Sequence, residues 1–490
     1  MAVKNLKNKA VSGVLWTSIQ KFATIAIQFV SSIILARLLT PADYGCIGML
    51  AIFMLVSESI IDAGFGSALI QKKRPTQVDY STIFFLNFGL ACILYAILFF
   101  SAPAISRFYR IDLLCPVLRT QGLVLFVDAF RIVQVNQLKK QFRFKKISIV
   151  QLSSTAVALA TTILLAYNGF GVWALVAQNI LLALLPTIVY WLTNHWKPML
   201  VFSTKSFKEL FSFGFYMFLT HLIATIVTNI QGLLIGRLYN ASTMGYYSKA
   251  QSTEKLVSTS ISQVVMQVTY PLYAELQDTR DRLASVIQRL TMGLSYITFP
   301  LLFLLILLAE PIFTLLYSER WLPSVPYFQM LCLAGVAQCL HAVNSQSIAA
   351  IGKSKAMFYW SLVKQGFGLV CVLVGLISGG MKGLLIGVVV RSWSIYLINA
   401  ALVDHYIGYK LGRQLLDILP VLILSLVSFF VSFFVCKCIG GGLYLNGTIA
   451  FLVFVAIYVV CSLSLKLKAY YICKDLAIPY FSRVFGKILR

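Results

Sequence analysis

The sequence predicts an all-α polytopic membrane protein with about 14 transmembrane helices, and three observations support this fold class. Of its 490 residues, 59% are apolar and only 12% are charged, whereas a soluble domain carries charge at roughly 25% of its positions. Apolar stretches of about twenty residues, long enough to cross ~30 Å of hydrocarbon, recur from end to end. The gaps between these stretches alternate between many and few basic residues, as loops on opposite sides of a membrane do.

Fourteen segments have the length and composition of a membrane-spanning helix. Backbone groups inside lipid must bond internally, so we expect these segments to be helical. The short alternating segments of a membrane β-barrel are not visible. The first segment follows a basic N-terminus and continues to Leu39, which favours a retained helix over a cleaved signal peptide. The expected spans are 12–36, 44–69, 81–104, 114–137, 147–168, 171–193, 209–236, 243–274, 285–308, 325–351, 355–379, 383–404, 415–436 and 445–465.

Loop charge predicts the orientation. With the N-terminus in the cytoplasm, 27 of the 41 Lys and Arg residues fall on the inner side and 7 on the outer side. This bias favours both termini inside and an even number of spans. The net charge of +25 is thereby explained by membrane orientation, and we expect no nucleic acid partner.

An internal repeat predicts the domain organisation. Residues 35–45 resemble residues 235–245 without a gap, and Asn136 has a weaker counterpart in Asn344. Six helices separate the copies, which predicts parallel repeats related by an axis along the membrane normal. Chance similarity between two amphipathic helix ends is the alternative. The expected divisions are an N-terminal lobe (1–200, helices 1–6), a C-terminal lobe (201–408, helices 7–12), and helices 13 and 14 with a basic cytoplasmic tail (409–490).

Charged residues inside the expected spans are the candidates for function, because burying a charge in lipid costs roughly 2.5–3.5 kcal/mol. In the first half three basic residues balance three acids. In the second half four basic residues face only Glu254, and the resulting +3 suits an anionic substrate such as a pyrophosphate. The basic residues are Lys21, Arg119, Arg131, Lys249, Lys255, Lys364 and Arg391, and the acids are Glu58, Asp62, Asp128 and Glu254.

Several of these residues keep an alternative interpretation. Arg119 and Arg391 lie near helix ends, from which their side chains can reach the membrane interface. Asp128 and Arg131 are three residues apart and share a helix face, so they are either a structural pair or part of a site. Lys21 and Glu58 lie at similar depth on adjacent spans and could pair. Glu58 and Asp62 are candidates for proton or sodium coupling, although Asp62 is equally compatible with an ordinary acid at a helix end.

Motifs for catalysis or for a bound cofactor are not visible. The ten cysteines are scattered, and zinc sites need about four ligands at organised spacing. The tripeptide 352–354 has the end of a phosphate-binding loop without its earlier glycine. His195, His221, His341 and His405 are dispersed, with His221 and His341 expected in helix packing or in a cavity. We therefore expect neither an enzyme nor a metal site, and no cofactor.

Residues 34–45, 234–239, 245–250 and 270–277 carry a family resemblance. They resemble the polysaccharide and lipopolysaccharide flippase family of the multidrug/oligosaccharidyl-lipid/polysaccharide exporter superfamily. The resemblance extends over nearly the whole chain and implies two six-helix lobes around a central cavity with alternating access. It also implies transport of polyprenyl-pyrophosphate-linked oligosaccharides, with cavity lysines and arginines on the pyrophosphate.

The resemblance and the charges together give the expected function: a flippase for a lipid-linked oligosaccharide in the bacterial inner membrane, serving synthesis of O-antigen, capsule or exopolysaccharide. Its partners would be that oligosaccharide and membrane lipids, with a polysaccharide polymerase and other assembly proteins as further candidates. The rivals are a multidrug/cation antiporter of the same fold and a membrane polymerase or glycosyltransferase. The expected substrate-binding residues are Lys249, Lys255, Lys364 and Lys21, followed by Arg131 and Arg391.

Overall fold

The computed structural model describes residues 2–62, 64–352 and 354–475. Their contacts divide the chain into two compact units, Met1–Ser248 and Lys249–Arg490. The predicted lobe boundaries at residues 200 and 408 stay predictions. Lys353 and the basic residues after 475, which the sequence analysis assigned to the inner side, lie outside the described residues.

Unit 1 is built from nine helices and the start of a tenth. The predicted span 44–69 is interrupted, because Gly64 adopts a left-handed conformation (φ 73°) that ends one helix and begins a short second one. The helices are α1 (Ala2–Leu38), α2 (Pro41–Asp62), α3 (Phe65–Gln71), α4 (Gln77–Tyr109), α5 (Leu114–Gln121), α6 (Val124–Lys140), α7 (Phe144–Tyr167), α8 (Val172–Thr193), α9 (Thr204–Leu238) and the first turns of α10 (Ala241–Glu275).

Unit 2 continues α10 and adds six α-helices. The predicted spans 355–379 and 383–404 correspond to two helical arms of the element α14, which are separated at Gly379 and Gly380, where the backbone is not helical. The remaining elements are α11 (Arg280–Leu307), α12 (Ala309–Tyr317), a 3-10 helix (Glu319–Ser324), α13 (Val325–Ala350), α14 (Ser354–Ile407), α15 (Leu411–Ile439) and α16 (Leu443–Ser464).

The all-helical membrane fold is confirmed. No strand occurs among the described residues, and ten of their helices are long and apolar enough to cross a membrane. α10 is not one of the ten, because it carries the run of Ser, Thr, Lys and Gln side chains that the sequence analysis judged too polar to face lipid. The number of crossings, 14, stays a prediction.

A reciprocal glycine contact within unit 1 joins the two copies of the sequence repeat. A Cβ atom on Gly45 would overlap the carbonyl oxygen of Ala241, and one on Gly245 would overlap the carbonyl oxygen of Pro41. The two contacts exchange under the 200-residue offset of the repeat. Two helix starts that meet in this way are related by a local two-fold axis, which favours a genuine repeat over chance similarity.

Small residues also set the packing inside α14 of unit 2. Gly375 and Gly383 lie so close that a Cβ on either would overlap the carbonyl oxygen of the other, and a Cβ on Gly387 would lie 2.5 Å from the carbonyl oxygen of Cys371. Such close backbone approach is the usual packing of membrane helices through small residues. It brings the two arms of α14 into direct contact, so side chains of both arms share one environment.

We predict that Gly383→Val forces the arms of α14 apart and lowers the free energy of unfolding by about 1–3 kcal/mol, the usual cost of overpacking. Gly366→Val is the matched control, since it lies on the same element with nothing within 4 Å of its added Cβ. Thermal unfolding of the purified protein in detergent measures the difference. Equal melting temperatures for the two variants would show that the arms are not packed as described.

The C-terminal helices α15 and α16 are attached to unit 2 through small and polar side chains. Ser425, Ser428 and Ser432 are fully buried along α15, which packs against α11. Gln414 accepts a hydrogen bond from the buried Asn344 of α13 at 3.1 Å. Large apolar side chains elsewhere on the pair are exposed, as they are on a helix that faces lipid.

Candidate functional site

Two predicted site residues lie on the paired arms of α14. Arg391, on the second arm, lies over Gly368 of the first, where an added Cβ would be 2.8 Å from the arginine Cγ and Nε. The Arg391 Nη2 atom donates to Oε1 of Gln365 at 3.2 Å. Because Gly368 has no side chain, the guanidinium group of Arg391 can lie over it and bond Gln365, the neighbour of Lys364 in the chain.

Lys364 is oriented by a partly buried chain of hydrogen bonds. Its ammonium group donates to Oδ1 of Asn399 on the second arm at 2.9 Å. The Asn399 amide nitrogen donates to the carbonyl oxygen of Ile395 at 2.9 Å and also contacts Nδ1 of His341 at 2.5 Å. A backbone carbonyl can only accept, so the amide orientation is fixed and Nδ1 of His341 is the acceptor. This geometry requires neutral His341 with its proton on Nε2.

Lys255 completes a cationic group in unit 2. It lies on α10, its side chain is exposed, and it interacts electrostatically with Arg391 and with the neighbouring Glu254. Glu254 is only 4% exposed and lies against Gly335 of α13. We call Lys255, Lys364 and Arg391 the unit 2 cations. Together with Glu254 they carry a net charge of +2.

Lys249 occupies a different environment. Its side chain is only 2% exposed, and its ammonium group lies 4.0 Å from the ring centre of Tyr317 and 5.7 Å from that of Trp321. Thr253, one turn later on α10, contacts the Tyr317 hydroxyl at 3.1 Å. A cation enclosed by aromatic faces is stabilised by them, so this lysine has a packing role in unit 2 that the sequence analysis did not foresee.

In unit 1, the predicted pair Asp128–Arg131 is confirmed, with 2.5 Å between Arg131 Nη2 and Asp128 Oδ1. Glu58 on α2 lies close enough to interact electrostatically with both. A pair of Glu58 with Lys21, which their depth in the sequence allows, is not among the ion pairs of the described residues. The physical reason is helix packing, since α1 packs mainly against α7 whereas α2 packs mainly against α9.

Asp62 and Arg131 line a cavity of about 360 Å³ within unit 1, which we call the unit 1 cavity. Its walls come from the end of α2, α3, α6, α7 and α8. An aromatic core holds α6 and α8 together beside it, where Trp191 donates to the carbonyl oxygen of Phe130 at 3.1 Å. The polar lining residues are Asp62, Arg131, Asn136, Lys139, Gln151 and Tyr190.

We predict that Arg131→Leu leaves the buried Asp128 without its counter-ion and lowers the free energy of unfolding by about 2 kcal/mol. A fully buried pair would cost more, 3–5 kcal/mol, but the Arg131 side chain is 32% exposed. The double variant Asp128→Leu/Arg131→Leu should recover most of the loss. Chemical denaturation in detergent measures both effects, and a double variant less stable than Arg131→Leu alone would contradict this account.

Sequence reasoning missed the neutral residues of both units. Gln365 and Asn399 position the unit 2 cations, and Asn136 and Gln151 line the unit 1 cavity. The signal that could have found them is an uncharged amide side chain inside an apolar span, which requires a hydrogen-bond partner there. Charge alone directed attention to the lysines and arginines.

Comparisons with known proteins agree with this architecture. Residues 34–326 match the family model described as "Polysaccharide biosynthesis protein". The teichuronic acid biosynthesis protein TuaB of Bacillus subtilis is 26% identical over 358 residues, covering 73% of this chain and 74% of its own. The lipopolysaccharide biosynthesis protein WzxC of Escherichia coli is 23% identical over 461 residues, covering 91% and 90%.

A solved structure gives the fold independently. The inward closed conformation of the lipid II flippase MurJ superposes with a TM-score of 0.70 at 15% identity, covering 92% of this chain and 99% of that one. At this identity the likeness shows the fold alone. The fold is therefore shared with this membrane flippase. The chain is therefore a multi-pass membrane protein that belongs to the polysaccharide biosynthesis protein family.

Proposed function

We propose that this protein is a flippase that moves polyprenyl-pyrophosphate-linked oligosaccharides across the bacterial inner membrane by alternating access. The observation that carries the proposal is the group of unit 2 cations in a chain of this family. Neither Lys255 nor Lys364 has an acidic partner within 4 Å among the described residues. Cations kept unpaired inside a membrane protein are costly, and an anionic cargo offsets that cost.

The unit 2 cations suit a pyrophosphate in particular. Lysine presents three donors as a point charge, and arginine presents a planar set of donors, so together they can bond several phosphate oxygens. Asn399 holds Lys364 by a single oxygen, which leaves two of its ammonium protons for a ligand. Lys21, Lys249 and Arg131 are proposed to support binding less directly, since Lys249 is enclosed by rings and Arg131 is engaged by Asp128.

Glu58 and Asp62 are the proposed carriers of a coupling ion. Both lie near the C-terminal end of α2, and Asp62 reaches the unit 1 cavity. A proton or sodium ion bound there would change the charge balance around Arg131, to which Glu58 is electrostatically coupled. We propose that both termini lie in the cytoplasm, because 27 of the 34 loop and tail cations then lie on the cytoplasmic side.

Deletion of the gene in its host tests the proposed function. We expect loss of the surface polysaccharide together with accumulation of its lipid-linked oligosaccharide precursor in the inner membrane. Complementation with the unaltered chain should reverse both effects. Normal surface polysaccharide without accumulation of the precursor would overturn the proposal.

A further inference from the structure

The unit 1 cavity contains polar side chains that the fold itself does not use. Asn136 is only 7% exposed, yet within the described ranges it has no hydrogen-bond partner. Gln151, which is half-buried, and Lys139, which is exposed, line the same cavity, and their side chains have no hydrogen-bond partner in the part of the chain that is described. Polar side chains that line a cavity and are not engaged by the protein's own hydrogen-bonding groups are available to a ligand.

The charges of the cavity nearly cancel. Arg131 is paired with Asp128 at 2.5 Å, and Lys139 interacts electrostatically with Asp62. Glu58, close to Arg131, adds one further negative charge. A pyrophosphate finds no excess of positive charge here, in contrast to the unit 2 cations. A prenyl chain is equally unsuited, because it would shield the polar lining from water and offer no hydrogen bonds in exchange.

What remains is a ligand that is uncharged and rich in both donors and acceptors. The amides of Asn136 and Gln151 offer both kinds of group, Asp62 accepts and Lys139 donates. A sugar hydroxyl can donate and accept, so a sugar ring matches such a mixed lining. The cavity of about 360 Å³ lies in the size range of small-molecule sites, about 300–1,000 Å³.

The position of the cavity fits entry from the side with the basic loops. Lys139 and Ile147, two of its lining residues, flank the loop between α6 and α7, which is the most basic loop of the chain. Gly66 keeps the space available: a Cβ there would lie 2.8 Å from Nδ2 of Asn136 and 3.1 Å from Oδ1 of Asp62. A side chain at this position would fill the part of the cavity between the two polar groups.

We infer that the unit 1 cavity is a subsite for an uncharged sugar of the cargo. The inference rests on the proposed function, in which the unit 2 cations take the pyrophosphate, and it names the part of the cargo that unit 1 recognises. The glycan is recognised by Asn136, Gln151, Asp62 and Lys139 through hydrogen bonds to its hydroxyl groups. The charge-balanced half and the cationic half thus have different tasks.

The test uses the full chain in lipid nanodiscs and two water-soluble probes, measured by isothermal titration calorimetry. One probe is the oligosaccharide repeat unit released by partial hydrolysis of the host's surface polysaccharide, and the other is inorganic pyrophosphate. Asn136→Leu and Gln151→Leu should each weaken binding of the oligosaccharide about 10-fold, in line with the loss of hydrogen bonds, and leave pyrophosphate binding unchanged. Lys255→Gln should weaken binding of pyrophosphate and leave binding of the oligosaccharide unchanged.

Two further variants make the result decisive. Gly66→Val should abolish oligosaccharide binding by filling the cavity, and Asn168→Leu, at the exposed end of α7, should leave it unchanged. If the oligosaccharide fails to bind the unaltered chain, or binds the Asn136, Gln151 and Gly66 variants as well as it binds the unaltered chain, the subsite is overturned. If Lys255→Gln leaves pyrophosphate binding unchanged, that result would instead count against the proposed function.

Discussion

Replacing Lys255 and Lys364 together by glutamine should weaken binding of inorganic pyrophosphate by about 100-fold and abolish export of the surface polysaccharide. Each hydrogen bond to a charged group contributes roughly 1.5–3 kcal/mol, which is about 10-fold or more per lysine. The loss should be larger for Lys364, because Asn399 already fixes its ammonium group. A preorganised group spends less conformational entropy when the ligand binds.

Arg119→Gln is the matched control, since it also removes a positive charge near a membrane helix end. Arg119 lies 4.1 Å from the ring centre of Phe99 in unit 1, away from the unit 2 cations along the chain. Its replacement should leave pyrophosphate binding within about 2-fold of the unaltered protein. If the double lysine variant is expressed at the normal level and still binds pyrophosphate normally, the unit 2 cations do not bind the pyrophosphate.

Gly45→Val and Gly245→Val should have equally large effects, each lowering the free energy of unfolding by about 2–3 kcal/mol. Both substitutions place a side chain where the backbone of the facing helix already lies, at Ala241 and at Pro41 respectively. Overpacking of this kind is relieved only by moving the helices apart. Since the two contacts are related by the repeat, their energetic costs should be alike.

Gly89→Val tests whether the effect is specific to the contact. Gly89 lies within α4 and has nothing within 4 Å of an added Cβ, so a valine there meets no facing backbone. We expect its melting temperature in detergent to stay close to that of the unaltered chain. A marked difference between Gly45→Val and Gly245→Val in the free energy of unfolding would show that the starts of α2 and α10 are not equivalent in the folded protein.

The all-helical membrane fold was predictable because its cause is local. Lipid forces every backbone group in an apolar stretch into a helix, so hydropathy alone located the helices. The break at Gly379 and Gly380 fell at the predicted gap between two spans, whereas the break at Gly64 lies inside the predicted second span. Both Gly64 and Gly380 have positive φ angles. A glycine within an apolar stretch does not reveal by itself whether it takes such a conformation.

The candidate site was predictable in its charges and not in its pairings. Asp128 and Arg131 share one helix, so their spacing sufficed to predict the ion pair. Whether Lys21 and Glu58 pair depends on which helices are neighbours, and in unit 1 their helices pack mainly against other partners. Lys249 was indistinguishable from the unit 2 cations by sequence, because its aromatic partners Tyr317 and Trp321 lie about 70 residues further along the chain.

The proposal that the protein moves a lipid-linked oligosaccharide is tested most directly by reconstitution. The polyprenyl-pyrophosphate oligosaccharide purified from the host is placed in proteoliposomes, and a glycan-cleaving enzyme added outside reports the externally accessible fraction over time. We predict that vesicles with the unaltered protein lose nearly all intact substrate, whereas protein-free vesicles and those with the Lys255→Gln/Lys364→Gln variant retain about half. Equal retention with and without the unaltered protein would contradict the account.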